Sequence, residues 1–325
     1  MPETGWVSAH LFYHGDQDAV ITGAVRPAAE RLRRDGLADG FFYLRYWEGG
    51  PHVRLRVRTR PEHVVAVRAV VEHAAEEFFR TSPSRSAQSE QDYAESAPRL
   101  AAIERKADYD TTLHPDNSLA FIDYLPENAV FGTGRALEAV ERQFTASSAL
   151  AAEMIGRGRT PGQRAMDAFA MLAANRTVFT SFPPEIVYQS RFMVDRDPES
   201  AKLLEAPEFR RYFDANKVHL RATLAAVSAV TRGVPLPDAS VAGRWLATIR
   251  DLTDTLVELE LLDRLDARPA FEAPDYALER INHVVPQWIV ERCTHLMCNR
   301  LGINLVQESR LRLLLAMTAY DPWAV

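Results

Sequence analysis

The segment His52-Val53-Arg54-Leu55-Arg56-Val57-Arg58 sets three arginines two residues apart. In an extended strand, alternate side chains leave opposite faces. Val53, Leu55 and Val57 would share one face, and His52, Arg54, Arg56 and Arg58 the other. Cations this close repel one another unless anions sit among them. The guanidinium is a planar fork of donors matched to carboxylate or phosphate, so this row is expected to form an anion site. The plainer alternative is a solvated face paired with surface glutamates.

A second group lies near the end of the chain. Glu291, His295 and Asn299 are four residues apart and fall on one face of a helix. Histidine is the side chain best suited to act as a general base near neutral pH, although most histidines are structural. Cys293, His295 and Cys298 cannot converge on one zinc ion from a single helix, and no second ligand pair accompanies them, so no metal is expected. The phosphate-binding, dinucleotide-binding, zinc-protease and serine-hydrolase motifs are missing. Gly132-Thr133-Gly134 opens a helix and could hold an anion on backbone N–H groups, but an ordinary helix start explains it equally well.

These residues must be positioned by an α+β framework. Trp6 to Tyr13 reads as a strand, and Asp16 as the cap of a helix to about Leu37. Phe41 to Trp47 and His52 to Thr59 read as a hairpin around Glu48-Gly49-Gly50-Pro51. Pro61 starts a helix to about Arg80, and Ser118 to Leu125 forms a fourth strand after the turn His114-Pro115-Asp116-Asn117. The order β-α-β-β-α-β is the ferredoxin-like arrangement. Between its last two elements, Ser82 to Ser96 reads as a polar loop or lid, followed by a short helix from Ala97 to Ala107. Helices are expected over Gly134–Ile155, Gly162–Thr177, Pro207–Thr231, Val241–Leu265, Tyr276–Leu301 and Val306–Tyr320. Phe182-Pro183-Pro184 should break the pattern, and Pro286 should kink or split its helix. No linker-like stretch divides the chain, so residues 1–325 are expected to form one unit, with a sheet-containing half (1–130) and a helical half (131–325).

Composition sets the remaining bounds. The chain has 325 residues, is 47% hydrophobic and 25% charged, and can bury a sizeable core. A formal net charge of -6 argues against broad binding to nucleic acid or anionic membrane. No apolar run is long enough to span a bilayer, the N-terminus lacks signal-peptide character, and the two cysteines require no disulfide framework. A cytoplasmic protein is the expectation.

Taken in order, the strand beginning at Trp6, FFYLRYWEGGPHVRLRVR, YLPENAVFGTGRALEAVERQFTASS and HLMCNRLG resemble the C-terminal elimination domain of class I lanthipeptide dehydratases. Stand-alone versions of this domain serve thiopeptide and related pathways. The resemblance is strongest over 6–60, 118–150 and 290–302, and weak across 160–270. It implies a lyase. A separate tRNA-dependent glutamylation enzyme esterifies Ser or Thr of a ribosomally made precursor peptide. The elimination domain then removes the Cα proton and expels glutamate, leaving dehydroalanine or dehydrobutyrine. In these terms Arg54, Arg56 and His295 are the catalytic residues. His52, Arg45, Arg58 and Tyr124 bind substrate, as do Arg135, Asn299 and Arg300. The implied partners are the modified precursor peptide and the glutamylation enzyme, with a homodimer left open, and no cofactor, direct nucleic-acid contact or membrane is expected.

One departure stands out. The family carries an arginine in a Tyr-x-Arg-Glu motif, where this chain has Tyr124-Leu125-Pro126-Glu127. Proline cannot hold an anion, so Arg135 or Arg45 would have to substitute. The same scaffold resembles thiopeptide pyridine synthases, which join two dehydroalanines by a formal [4+2] cycloaddition and release the leader. A non-catalytic peptide-binding role is the third reading.

Overall fold

Four segments of alternating apolar residues pair into one antiparallel sheet. The computed structural model describes residues 5–85, 88–104, 106–179, 202, 205–267 and 283–320. The strands are β1 Gly5–Phe12, β2 Gly40–Tyr46, β3 His52–Thr59 and β4 Ser118–Phe121, in spatial order β2-β3-β1-β4. This is the expected ferredoxin-like order, within a mixed α+β protein whose remainder is mainly helical.

The helices, in chain order, are α1 Gln17–Val20, α2 Arg26–Arg34, α3 Val64–Thr81, α4 Glu90–Glu104, α5 Asn128–Phe131, α6 Arg135–Gly156, α7 Pro161–Phe179, α8 Pro207–Ser228, α9 Val241–Leu261, α10 Val284–Arg300 and α11 Leu305–Ala319. Asp16 caps α1 by accepting from the Asp18 N–H at 2.9 Å. A π-helical turn, Ile21–Val25, then joins α1 to α2. Within it, a Cβ on Gly23 would come within 2.5 Å of the Phe78 ring, so glycine permits close packing against α3.

Several expectations need correction. The polar segment Ser82–Ser96 is not loop throughout, and the following helix starts well before Ala97. α4 begins at Glu90, because Ser89 Oγ accepts from the Asp92 N–H and the Asp92 carboxylate reaches back to the Ser89 N–H. The fourth strand stops at Phe121 rather than Leu125, where its pairing with β1 ends. Pro286 sits in the first turn of α10, where its missing N–H has no intrahelical acceptor to lose, and α10 itself starts only after a bend at His283, where φ is +60°. Phe182-Pro183-Pro184 and the beginning of the helix expected from Tyr276 lie outside the described residues.

The chain divides into two compact units, each drawn from non-contiguous stretches of sequence. The first comprises Met1–Pro126, Phe144–Gly158 and Asn299–Gly302, and holds the sheet. Val53, Leu55 and Val57 of β3 are buried on one sheet face, and α3 packs against β1, β3 and β4. The outward edge of β2 is closed by side chains from distant parts of the sequence. The Tyr43 N–H donates to Ser148 Oγ at 3.2 Å, and the Arg45 N–H to Asn299 Oδ1 at 2.9 Å. Asn299 Nδ2 donates back to the Arg45 carbonyl at 2.9 Å, and Arg300 Nε donates to the Tyr43 carbonyl at 3.0 Å. Edge-strand groups that would otherwise invite another strand are thereby satisfied.

The second unit comprises Glu127–Gln143, Arg159–Cys298 and Ile303–Val325. Its hub is α7, buried along most of Ala168–Asn175, which packs against α8, α9 and α11. Trp245 is fully buried there and donates its indole N–H to Asn175 Oδ1 at 2.9 Å; Asn175 in turn donates to Thr294. Among the described residues, no helix is long and apolar enough to cross a membrane.

Candidate functional site

In the first unit, strand register assembles the polar sheet face. β3 pairs with β1 so that Arg58 lies opposite Trp6, Arg56 opposite Ser8, Arg54 opposite His10 and His52 opposite Phe12. On the other side, β2 sets Phe42 beside Arg56, Leu44 beside Arg54 and Tyr46 beside His52. Each arginine therefore has one aromatic or histidine neighbour in register, Trp6 for Arg58, Phe42 for Arg56 and His10 for Arg54. This is not a solvated face: His52 is fully buried, and Arg56 is only 7% exposed.

Arg54 stacks on Tyr46, with its guanidinium carbon 3.4 Å from the ring centroid. Its Nη2 donates to Glu48 Oε2 at 3.4 Å, and the same carboxylate oxygen accepts from Lys106. Glu48 also accepts from the Asp110 N–H at 3.0 Å. Burial opposes ionisation of Glu48, but Lys106, the Asp110 N–H and Arg54 together hold its carboxyl below the usual range. Arg54 thus already holds a glutamate carboxylate. Glycines make the turn that delivers Glu48. Gly49 has φ +78°, and a Cβ there would meet His114 Cδ2 at 2.8 Å. Its N–H donates to the Tyr93 hydroxyl at 2.7 Å.

Arg56 lies 5.3 Å from the Tyr124 ring centroid and 5.7 Å from that of Phe42. Trp6 completes this aromatic surround, with its centroid 4.9 Å from Phe42 and 5.9 Å from Tyr124. Tyr124 is thus placed beside Arg56, and Arg58 beside Trp6 in register.

His52 Nδ1 lies 2.8 Å from the Gly50 carbonyl, while its Nε2 accepts from Arg54 Nε at 3.2 Å. That pattern assigns a neutral Nδ1–H tautomer. Burial and the adjacent arginines push His52 down to about 3, and burial with His52, Arg54 and Arg56 pushes His10 down to about 2. The two imidazoles stack with centroids 4.9 Å apart. Ser8 Oγ and His10 Nε2 are buried and have no hydrogen-bond partner among the described residues. Ser8, His10, Glu48 and Lys106 were not singled out from sequence. The alternation Trp6-Val7-Ser8-Ala9-His10 put Ser8 and His10 on one face, but only the β1–β3 register brings them to the arginines.

Arg45, also expected in this unit, pairs with Asp18 and donates from Nε to the Arg300 carbonyl at 3.2 Å. Arg300 is fully buried, and Asn299 caps Arg45 as described above.

In the second unit, His295 Nδ1 lies 2.7 Å from Glu308 Oε2. The other Glu308 oxygen, Oε1, accepts from Arg312 Nε at 2.9 Å and Nη2 at 2.8 Å. Arg312 Nη1 donates to Glu291 Oε2 at 2.6 Å. Burial alone would raise Glu308, but the His295 bond and the Arg312 charge bring it down to about 2. Burial would lower Arg312, but Glu291 and Glu308 raise it overall. A carboxylate-backed imidazole of this kind can accept a proton at Nε2. Cys298 is buried and its thiol is pushed up, first by burial and then by Glu308, so it is not a reactive thiolate. Arg135 forms an exposed two-point pair with Glu258, at 3.2 and 3.0 Å. At the glycine pair, the Thr133 N–H and hydroxyl bind the Asp266 carboxylate at 2.9 and 2.6 Å.

The family described as "Lantibiotic biosynthesis dehydratase C-term" matches residues 6–320. No curated protein sequence matches the chain. Among solved structures, the chain is similar to the pyridine synthase TbtD from thiomuracin biosynthesis, with 21% identity over 98% of each chain and a TM-score of 0.75. It is also similar to TsrL, with 16% identity over 99% of this chain and 96% of the other and a TM-score of 0.64. A third likeness is to the tRNA-dependent lantibiotic dehydratase MibB from Microbispora sp. 107891, with 18% identity and a TM-score of 0.52 over 97% of this chain and 28% of the other.

Proposed function

Because the chain belongs to the lantibiotic biosynthesis dehydratase C-terminal family, we propose that it eliminates glutamate from glutamylated Ser or Thr of a ribosomally made precursor peptide. The observation that carries this reading is the polar row on the sheet. Arg54 and Arg56 lie in register with His10 and Ser8, whose buried Nε2 and Oγ have no partner among the described residues. A carboxylate is the ligand that would answer both the cations and these polar atoms. Arg54 holds such a group in the Glu48 side chain, so exchanging Glu48 for a substrate carboxylate would keep the guanidinium neutralised throughout.

In the proposed reaction, His295 Nε2 takes the Cα proton. The Cα–H electron pair becomes the Cα=Cβ bond, and the Cβ–O bond breaks towards oxygen. Glutamate leaves as a carboxylate, with Arg54 and Arg56 stabilising its developing charge. A glutamylation enzyme using aminoacyl-tRNA must supply the ester, which puts the reaction in the cytoplasm. The test is mass spectrometry of glutamylated precursor peptide incubated with the protein. Loss of glutamate is expected with the wild type. Arg54→Ala should let glutamylated peptide accumulate, with kcat/KM down by roughly 10²- to 10³-fold. Retained glutamate on the wild-type reaction would sink the reading.

A second reading is favoured by one specific observation. Pro126 stands where the family pattern has an anion-binding arginine, a group that the cycloaddition needs less than glutamate elimination does. On that reading the substrate already carries two dehydroalanines, and the product is a pyridine with the leader released. Offering both substrates separately distinguishes the two reactions.

A further inference from the structure

His295 can serve as a base only if its proton sits on Nδ1, leaving the Nε2 lone pair available. Imidazole alone does not choose between the two tautomers. The choice is made by whatever Nδ1 faces, and in this structure that is the carboxylate of Glu308. Glu308 is buried in the first turn of α11, where the helix dipole favours negative charge. Its two oxygens are divided between partners, Oε1 to Arg312 and Oε2 to His295. Arg312 is held in turn by Glu291, one helical turn before His295 on α10. Neither Glu308 nor Arg312 is free to rotate away without leaving a buried charge unmatched. The His295 side chain keeps 28% of its surface exposed, and its Nε2 has no hydrogen-bond partner among the described residues.

We propose that Glu308 is the positioning residue for His295, fixing the Nδ1–H tautomer and aiming Nε2 as the proton acceptor, with Arg312 and Glu291 locking the carboxylate in place. The inference rests on the reading of His295 as the base. It has a sharp consequence. Arg312 offers only donors, so in Glu308→Gln the amide oxygen must stay on Arg312 and the amide NH₂ must turn towards His295. Nδ1 then has to accept, the proton moves to Nε2, and the base is blocked by its own hydrogen.

The experiment is ¹⁵N NMR of the imidazole in wild type, Glu308→Gln and Glu308→Asp, with the His295 signal assigned by its loss in His295→Ala. Kinetics on glutamylated precursor peptide are measured alongside. The wild type is expected to show the Nδ1–H tautomer, and Glu308→Gln the Nε2–H tautomer. The kcat of Glu308→Gln should fall roughly 10²- to 10⁴-fold with KM little changed. Glu308→Asp should keep the wild-type tautomer and recover most of that loss. An Nε2–H tautomer in the wild type would overturn the inference without any substitution. So would Glu308→Gln with an unchanged tautomer, or with full kcat despite a flipped one. If the wild type releases no glutamate, the functional reading fails. The tautomers then decide on Glu308 by themselves, a flip in Glu308→Gln supporting its role and no flip refuting it.

Discussion

His10 and His52 are imidazoles that the fold refuses to protonate. Both have an ordinary value of 6.5, brought down to about 2 and about 3 by burial and neighbouring cations. The unfolded chain takes up these protons below 6.5 while the folded chain does not. Stability is therefore fully present above about pH 6.5 and declines as pH falls from there towards these lower values. Each histidine contributes a slope of about 1.4 kcal/mol per pH unit over its window. His10→Phe keeps a ring against His52 and removes one such group. Its acid-unfolding midpoint, followed by tryptophan fluorescence, should move to lower pH; an unmoved midpoint would mean that His10 is not held neutral. The arginine row was legible in the sequence because a period of two needs no partner to be seen. His10, which meets that row only through the β1–β3 register, was not. Nor was Glu308, which reaches His295 only because the turn after α10 folds α11 back onto it.

At the scale of elements, the bounds of β3 match the expectation residue for residue, and α9 and α11 begin at the expected position or one residue from it. Helix starts failed where capping was hidden in a polar run, as at Ser89. The edge of β2 could not be foreseen at all, since its caps come from Ser148, Asn299 and Arg300. Asn299 spans the Arg45 N–H and carbonyl like a short piece of strand. Asn299→Leu leaves both unanswered and should cost about 1–3 kcal/mol in denaturant unfolding, with little change in the cooperativity slope. A loss below a few tenths of a kcal/mol would show that water replaces the cap without penalty.

Each of the two compact units is assembled from separate stretches of the sequence. The return of 144–158 and 299–302 to the sheet unit was not legible in the sequence, because nothing local distinguishes those stretches from their helical neighbours. A fragment comprising residues 1–126 contains every described strand yet lacks the three edge caps. It should show weaker far-UV dichroism per residue and faster proteolysis at β2 than the full chain, and equal resistance of the two would refute the dependence. The same arrangement sets a clock on biosynthesis. At about 5–20 residues per second, a ribosome needs roughly 10–50 seconds after making Arg45 to reach Asn299. Throughout that interval the nascent sheet presents a bare margin to the crowded cell, so chaperone demand during translation should be greatest for this strand.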